Sequence, residues 1–325
     1  MSPAGLLIGV DVGGTKVSVA AVRADVVQAP LVRSTDRSSA DALIAQIVAQ
    51  VEAVADGSTP DAVGVGVPSV VEFATGRARS SVNVPLQDVP LRTVLGERLG
   101  VPVFVDNDAT VAALAEAHDE AGRLDTSSLV MFTVGTGVGG GIVIDGRSYR
   151  GATGAAGELG QTLVSIDEAV PEPTRFPQRG SLESLAAGHV LDALAAAAAA
   201  EHPDSALGRR LAERGAVAGP DAVEAAMEGD PVAVACVATL GRRLGVGVAN
   251  AINTFDPQVV AIGGGVSSAG ELLVGPARTV ALEYVLPGVG SETEIRVARS
   301  GPQAGVRGAA LLARSELKSQ NGEAR

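Results

Sequence analysis

Leu129-Val130-Met131-Phe132-Thr133-Val134, Gly135-Thr136-Gly137-Val138-Gly139-Gly140-Gly141 and Ile142-Val143-Ile144-Asp145-Gly146 follow one another without a break, and the architecture can be worked out from them. An apolar run, a glycine turn and a β-branched run predict strand, turn, strand. Gly135, Gly137 and Gly140 match the spacing G-x-G-x-x-G, but a dinucleotide fingerprint needs a helix next, so that a pyrophosphate meets a helix N-terminus. Here a strand and an Asp-Gly turn follow instead. Two readings of the turn stay open. It is a plain tight hairpin, or it is a backbone surface that glycine lets come close to a phosphate and aim N–H groups at it.

The same layout occurs near the start of the chain. Residues 6–10 are apolar, Asp11-Val12-Gly13-Gly14-Thr15-Lys16 interrupts, and residues 17–22 are apolar again apart from Ser18. Two such turns point to two related halves, against the alternative of two unrelated glycine hairpins.

Outward from these turns, apolar residues at helical spacing predict a helix over Ala40–Ala55, a strand over Ala62–Val67, and a helix over Leu91–Leu99. Between them, residues 72–90 read as a polar, turn-rich segment. A strand over 101–105 delivers Asp106-Asn107-Asp108 to a helix over 109–117, and residues 122–128 cross into the second half. Small residues 151–157 lead to Glu158, and an irregular loop is expected from Pro171 to Gly180. Helices are predicted over 182–200, 221–228 and 231–252, the last with Pro231 in its first turn. A strand over 259–262 ends at Gly263-Gly264-Gly265, before a helical region over 270–284, a strand over 295–298 and a helix over 305–313. The expected division is a first α/β domain over 1–121 completed by a C-terminal helix over 303–315, a second over 122–302, and a disordered tail over 316–325.

Composition narrows the function. The formal net charge is −12, with no Trp, two Tyr and five Phe, so nucleic acid and anionic membranes are disfavoured as partners and a small ligand is expected. Cys236 is the only cysteine, which rules out an intramolecular disulfide and suits a reducing cytoplasm. The first residues lack the basic region of a secretory signal, and the alanine run 195–200 is too short to span a membrane. His118, His189 and His202 are scattered without metal spacing, and neither a G-x-S-x-G elbow nor a Walker-type loop occurs.

Each candidate site residue has two readings. Asp108, at a strand-to-helix junction, is an N-cap, or a general base at the sheet edge where open α/β folds bind ligands. Asp11 closes an Asx-type turn, or holds Mg²⁺ through water while Thr15 and Lys16 face phosphates. Glu158 sits among small residues that serve tight packing or ligand approach. Asn83 and Glu183 read by default as a polar turn residue and a first-turn helix acid.

The segments Asp11 to Lys16, Asn107-Asp108, Gly135 to Gly141, Gly157-Glu158-Leu159-Gly160, and Asp256-Pro257 through Gly265 occur in one order. This set resembles the ROK family of repressors, open reading frames and sugar kinases over nearly the whole chain. The resemblance implies an actin/hexokinase-like (ribonuclease H-like) ATPase fold, two α/β domains about a cleft. It further implies transfer of the γ-phosphoryl of ATP to a hexose, usually at the 6-hydroxyl. On it, Asp11, Gly13, Gly14, Thr15 and Lys16 with Gly135, Thr136 and Gly137 hold the terminal phosphates, and Gly263, Gly264 and Gly265 border the adenosine. Asp108 is the base, and Asn83, Asn107, Glu158, Gln161 and Glu183 bind sugar hydroxyls.

One departure stands out. Where many members of the family place a zinc-binding His and three Cys, this chain has Gln161, Glu172, Phe176 and Ser181, so no zinc is expected. The implied cofactors are ATP and Mg²⁺, and the implied assembly is a homodimer. Left open are a sugar sensor without catalysis, disfavoured by the few residues before Leu6, and a different acceptor or donor: an amino- or N-acetyl-hexose, mannose, fructose, or polyphosphate.

Overall fold

The computed structural model describes residues 5–24, 26–81, 83–166, 172 and 175–322, so part of the expected loop from Pro171 and the end of the expected tail lie outside the described residues. The chain packs into two compact units, Met1–Ser128 with Gly141–Gly157 and Ser300–Arg325, and Leu129–Gly140 with Glu158–Arg299.

In the first unit, β1 (Leu7–Val12) and β2 (Lys16–Arg23) form an antiparallel hairpin around the first glycine turn, with β3 (Val26–Val27) and β4 (Leu31–Ser34) pairing on β2. Ser39 caps α1 (Ala40–Ala55) by accepting the Ala42 N–H, and Leu43, Ile44, Ile47 and Val51 turn its apolar face inward. β5 (Ala62–Val67) returns parallel to β1. β6 (Ser69–Glu72) and β7 (Arg77–Ser81) make a separate hairpin whose second strand lies inside the segment expected to be polar and turn-rich. Its polar, alternately exposed sequence gave no apolar run to mark it. After α2 (Leu91–Leu99), β8 (Val103–Asn107) lies parallel to β5 and feeds α3 (Asp108–Glu116). The sheet order is β3-β2-β1-β5-β8.

The second unit repeats the plan. β9 (Leu129–Val134) turns through Gly135–Gly137 into β10 (Val138–Ile144), which begins in this unit and ends in the first, where it pairs with β11 (Arg147–Ser148). Gly139, Gly140 and Gly141, expected in the turn, are strand residues. The segment expected to be one helix over 182–200 divides into α4 (Leu182–Ala186) and α5 (Gly188–Glu201) at the extended Ala187. The break frees the Gly188 N–H to donate to the Gly135 carbonyl at 2.7 Å, a bond a continuous helix would forbid.

α6 (Ala206–Arg214) and α7 (Gly219–Met227) precede the 25-residue α8 (Pro231–Phe255). β12 (Val259–Gly263) lies parallel to β9, a 3-10 turn leads to α9 (Glu271–Tyr284), and β13 (Glu294–Val297) lies parallel to β12. α8 and the run Leu182–Glu201 are long and apolar enough to cross a membrane by length and composition. In α8, however, Val237, Leu240, Leu244, Val248 and Ile252 are fully buried in the unit's own core with Phe132, Val260 and Ile262.

α10 (Ala304–Gln320) brings the chain back to the first unit, where Leu311 and Leu312 pack with Phe104, Val111 and Leu114. The tail expected over 316–325 is therefore helical as far as Gln320. Each unit thus has a hairpin whose first strand is flanked by two further parallel strands, β1-β5-β8 in one and β9-β12-β13 in the other. The likeness of the two glycine turns is one of topology.

Candidate active site

Asp108 is not the cap of α3. Asn107 takes that place, its side-chain oxygen accepting the Thr110 N–H at 3.1 Å while its amide donates to the Ser69 carbonyl at 3.4 Å. Asp108 becomes the first residue of the helix, with one carboxylate oxygen accepting the Ala109 N–H at 2.9 Å. Burial pushes its carboxyl above the ordinary carboxylate range, against hydrogen bonds from Ala109, its own N–H and Asn107. A half-buried, proton-attracting carboxylate at the C-terminal end of a parallel strand is suited to general-base work.

Asp11, half-buried near the end of β1, is pushed up to about 6, first by burial and then by the charge of Asp108, with Lys16 opposing. Among the described residues no hydrogen bond to its carboxylate accompanies these effects. A Cβ built on Gly305, in the first turn of α10, would stand 2.5 Å from Asp11 Oδ2, so only glycine leaves room for this carboxylate. The two acids are negative charge short of compensation, which fits a magnesium ion held through water by one or two carboxylates. Around them the first turn is pinned by the Gly13 N–H donating to the Lys16 carbonyl at 2.8 Å and by the Thr35 hydroxyl donating to the Gly13 carbonyl at 2.7 Å. Thr15 and Lys16 are exposed. Asn83, also exposed, has its Cβ 3.1 Å from where a side chain on Gly14 would begin, so it belongs to the same surface.

In the second unit Glu183, in the first turn of α4, accepts the Val138 N–H at 2.8 Å on Oε2 and the Gln161 amide at 3.3 Å on Oε1. Gly137 permits this: a Cβ there would lie 2.5 Å from Glu183 Oε2. Gln161 ends a 3-10 turn, Leu159–Gln161, that starts immediately after the exposed Glu158. Two stretches of backbone are clipped together beside this pair, Leu182 N–H to the Thr162 carbonyl at 2.9 Å and Val164 N–H to the Gly180 carbonyl at 2.9 Å. Beyond the clip, the Gln178 amide closes the loop. Its oxygen accepts the Glu172 N–H at 2.8 Å, and its nitrogen donates to the carbonyls of Glu172 at 2.6 Å and Arg175 at 2.8 Å. Ser181, an expected gap in the zinc set, caps α4.

Of the residues expected to bind nucleotide, Gly135 and Thr136 form the second turn, with His189 Nδ1 3.4 Å from the Thr136 carbonyl. Gly264 and Gly265 are exposed at the end of β12, whereas Gly263 is buried in the sheet against Met131. The sequence reading did not single out Gly305 or the ion pair of half-buried Arg150 with buried Asp106 at 2.7 Å, in which Arg150 stacks 3.6 Å over the Phe73 ring, whereas His189 stands exposed at a helix start as expected. Gly305 and Arg150 stand far in sequence from the acids they face, and neither lies in a recognisable pattern. Among the described residues no group of three or more His, Cys, Asp or Glu could hold a metal ion.

Two glycine hairpins, each opening a sheet of repeated topology, and a base candidate closing a parallel strand define a sugar-kinase-type ATPase of the actin/hexokinase-like class. The chain belongs to the ROK family, whose model matches residues 7–316. It is 33% identical over 322 residues to a glucokinase of Halalkalibacterium halodurans, covering 96% of each chain. It is 31% identical over 314 residues to a glucokinase of Thermotoga maritima, covering 96% of this chain and 98% of that one. Among solved structures, a ROK family glucokinase from Streptomyces griseus in complex with glucose and AMPPNP superposes with a TM-score of 0.82 at 32% identity, covering 96% of this chain and all of that one.

Proposed function

We propose that this chain is a glucokinase-type hexose kinase that transfers the γ-phosphoryl of Mg-ATP to the 6-hydroxyl of a hexose. The observation that supports it most is the release of Asp108 from capping duty: Asn107 satisfies the helix end, and a half-buried carboxylate of raised proton affinity is left for chemistry. As the sugar oxygen attacks, its proton passes to Asp108. A new O–P bond forms at the γ-phosphorus, and the bond to the bridging oxygen breaks, releasing ADP.

Asp11, with the backbone of the first turn, Thr15 and Lys16, binds the terminal phosphates together with Gly135, Thr136 and Gly137. Gly264 and Gly265 border the nucleoside. Asp11 would hold magnesium through water, and the ion would supply neutralising charge to the phosphates. Asn83, Asn107, Glu158, Gln161 and Glu183 orient the sugar. The donor set leaves no place for zinc, and the enzyme works in the cytoplasm as a homodimer in carbohydrate breakdown. A coupled ADP-release assay across hexoses and phosphoryl donors tests the proposal. Glucose with ATP is expected to turn over, and glucose binding without phosphorylation of any hexose would instead establish a sensor.

A further inference from the structure

Asp106 and Asp108 flank Asn107 at the end of β8, and their surroundings differ. Strand alternation turns Asp106 to the face of the sheet that carries Phe104, away from Asn107, and there it is buried. Burial pushes its carboxyl up, against the charge and the hydrogen bond of Arg150. Both of its oxygens are in use. Oδ2 accepts the Arg150 Nε–H at 2.7 Å, and Oδ1 accepts the backbone N–H of Asn107 at 2.9 Å. Arg150 is fixed in turn. Its guanidinium lies 3.6 Å over the Phe73 ring, and Nη1 donates to the Ser148 carbonyl at 3.4 Å. Phe73 is tied down by Arg92, whose Nη2 donates to its carbonyl at 2.5 Å. All of these residues belong to the first unit. A buried ion pair is a poor source of stability, because apolar side chains of the same volume serve as well or better. What apolar side chains cannot do is hold the Asn107 N–H. Asn107 is the residue whose amide caps α3 and so keeps Asp108 out of the cap.

We infer that Arg150 is a positioning residue for the phosphoryl transfer: through Asp106 it fixes the backbone at Asn107, and with it the start of α3 from which Asp108 acts. The inference rests on the hexose-kinase reading and deepens it. Arg150 works from the opposite face of the strand, by a relay of two hydrogen bonds. A guanidinium suits this task because its Nε–H meets the carboxylate in a fixed plane while its flat face stacks on an aromatic ring, which an ammonium does not reproduce. With Oδ2 released, the Asp106 carboxylate can turn, and the bond from its other oxygen to Asn107 loses its direction. A displacement of the base by about 1 Å is enough to slow turnover about 100-fold.

The test uses the purified full-length chain and compares the wild type with Arg150→Met and with the double variant Arg150→Met, Asp106→Leu. Arg150→Met alone leaves a buried carboxylate without its ionic partner, so its urea midpoint should drop. Its kcat per folded chain should drop as well, by about 100-fold. The double variant has no charge left at this pair, so its midpoint should return to that of the wild type or pass it. Its kcat should nevertheless stay about 100-fold down, with the KM for ATP unchanged and glucose affinity in calorimetry reduced by less than kcat. Stability and turnover then part, which a pair that only braced the fold could not produce. A double variant with wild-type kcat would overturn the inference and leave the kinase reading standing. So would a loss of activity matched by an equal loss of folded protein, or a double variant that does not fold, because the pair would then serve the fold alone. If the wild type phosphorylates no hexose, the kinase reading fails and the inference fails with it. Should Arg150→Met not fold, the double variant decides the matter.

Discussion

Replacing Asp11 by Asn should stabilise the ligand-free protein while abolishing its activity. The Asp11 carboxyl is pushed up to about 6 from an ordinary 3.8 by burial, then by the Asp108 charge, with Lys16 pulling the other way. The native state therefore holds the proton more tightly than the unfolded chain does. A folded value raised in this way contributes stability that is complete below about pH 4 and is lost as pH rises through about 6. At pH 7 the ionised carboxylate costs about 3 kcal/mol on this gap, at 1.36 kcal/mol for each tenfold step in proton affinity. Asn has the same shape and fits the space beside Gly305, so it removes the charge without making a cavity.

The measurement is urea unfolding in EDTA at pH 5, 6, 7 and 8, wild type against Asp11→Asn. The variant should be more stable by up to about 3 kcal/mol at pH 7 and 8, with the difference shrinking steadily toward pH 5. Asp108→Asn should recover part of this on its own, because Asp108 is the second cause of the shift, and the double variant should gain less than the sum of the two. A variant no more stable than wild type at pH 7, or a gap that widens on acidification, would refute the account of Asp11 as uncompensated negative charge.

Asp108→Asn should reduce kcat by 10²- to 10⁴-fold with glucose binding retained by calorimetry; in the wild type, activity should fall on acidification along a limb above the ordinary carboxylate range, because protonation removes the base. Gly137→Ala places a methyl group 2.5 Å from Glu183 Oε2 and must break the Val138 N–H bond to it, so the glucose KM should rise by about 10-fold or more; an unchanged KM would remove Glu183 from the sugar site. Gln178→Ala deletes three hydrogen bonds that close the loop from Glu172, so amide exchange at Glu172 and proteolytic nicking of that loop should accelerate. Unaltered exchange there would show that the amide is not what closes it.

Much of this fold could be read from the sequence because the relevant signals are apolar and periodic. The α1 and α2 helices and the β5 and β9 strands fall where residues 40–55, 91–99, 62–67 and 129–134 place them, since each buries a face or a whole strand in one of the two cores. The β6–β7 hairpin went unread because its exposed strand, Arg77–Ser81, has only one fully buried residue, Ala78. The break at Ala187 is equally silent in a run of alanines and leucines, for it is fixed by a carbonyl some fifty residues upstream in the sequence, at Gly135. Carboxylates were legible as candidates, but not their states. Which of Asn107 and Asp108 caps α3 depends on a shift of one residue in the helix start, and helix starts are the least readable feature of a sequence.

That one-residue shift is what separates the two readings of Asp108. Had the helix begun at Ala109, the carboxylate would have been the cap, accepting N–H groups of the first turn that stabilise its charge and lower its affinity for a proton. With β8 running to Asn107 and the amide in the cap position, the helix end is satisfied by a group that carries no charge, and burial dominates the acid next to it. Exchanging the two residues, Asn107→Asp with Asp108→Asn, tests this division. The exchanged chain should retain its stability, since Asp caps a helix about as well as Asn. It should nevertheless lose turnover as completely as Asp108→Asn alone, because its carboxylate would be spent on the Thr110 N–H. Substantial activity in the exchanged protein would mean that a carboxylate anywhere at this junction suffices, and that the position of the cap does not select the base.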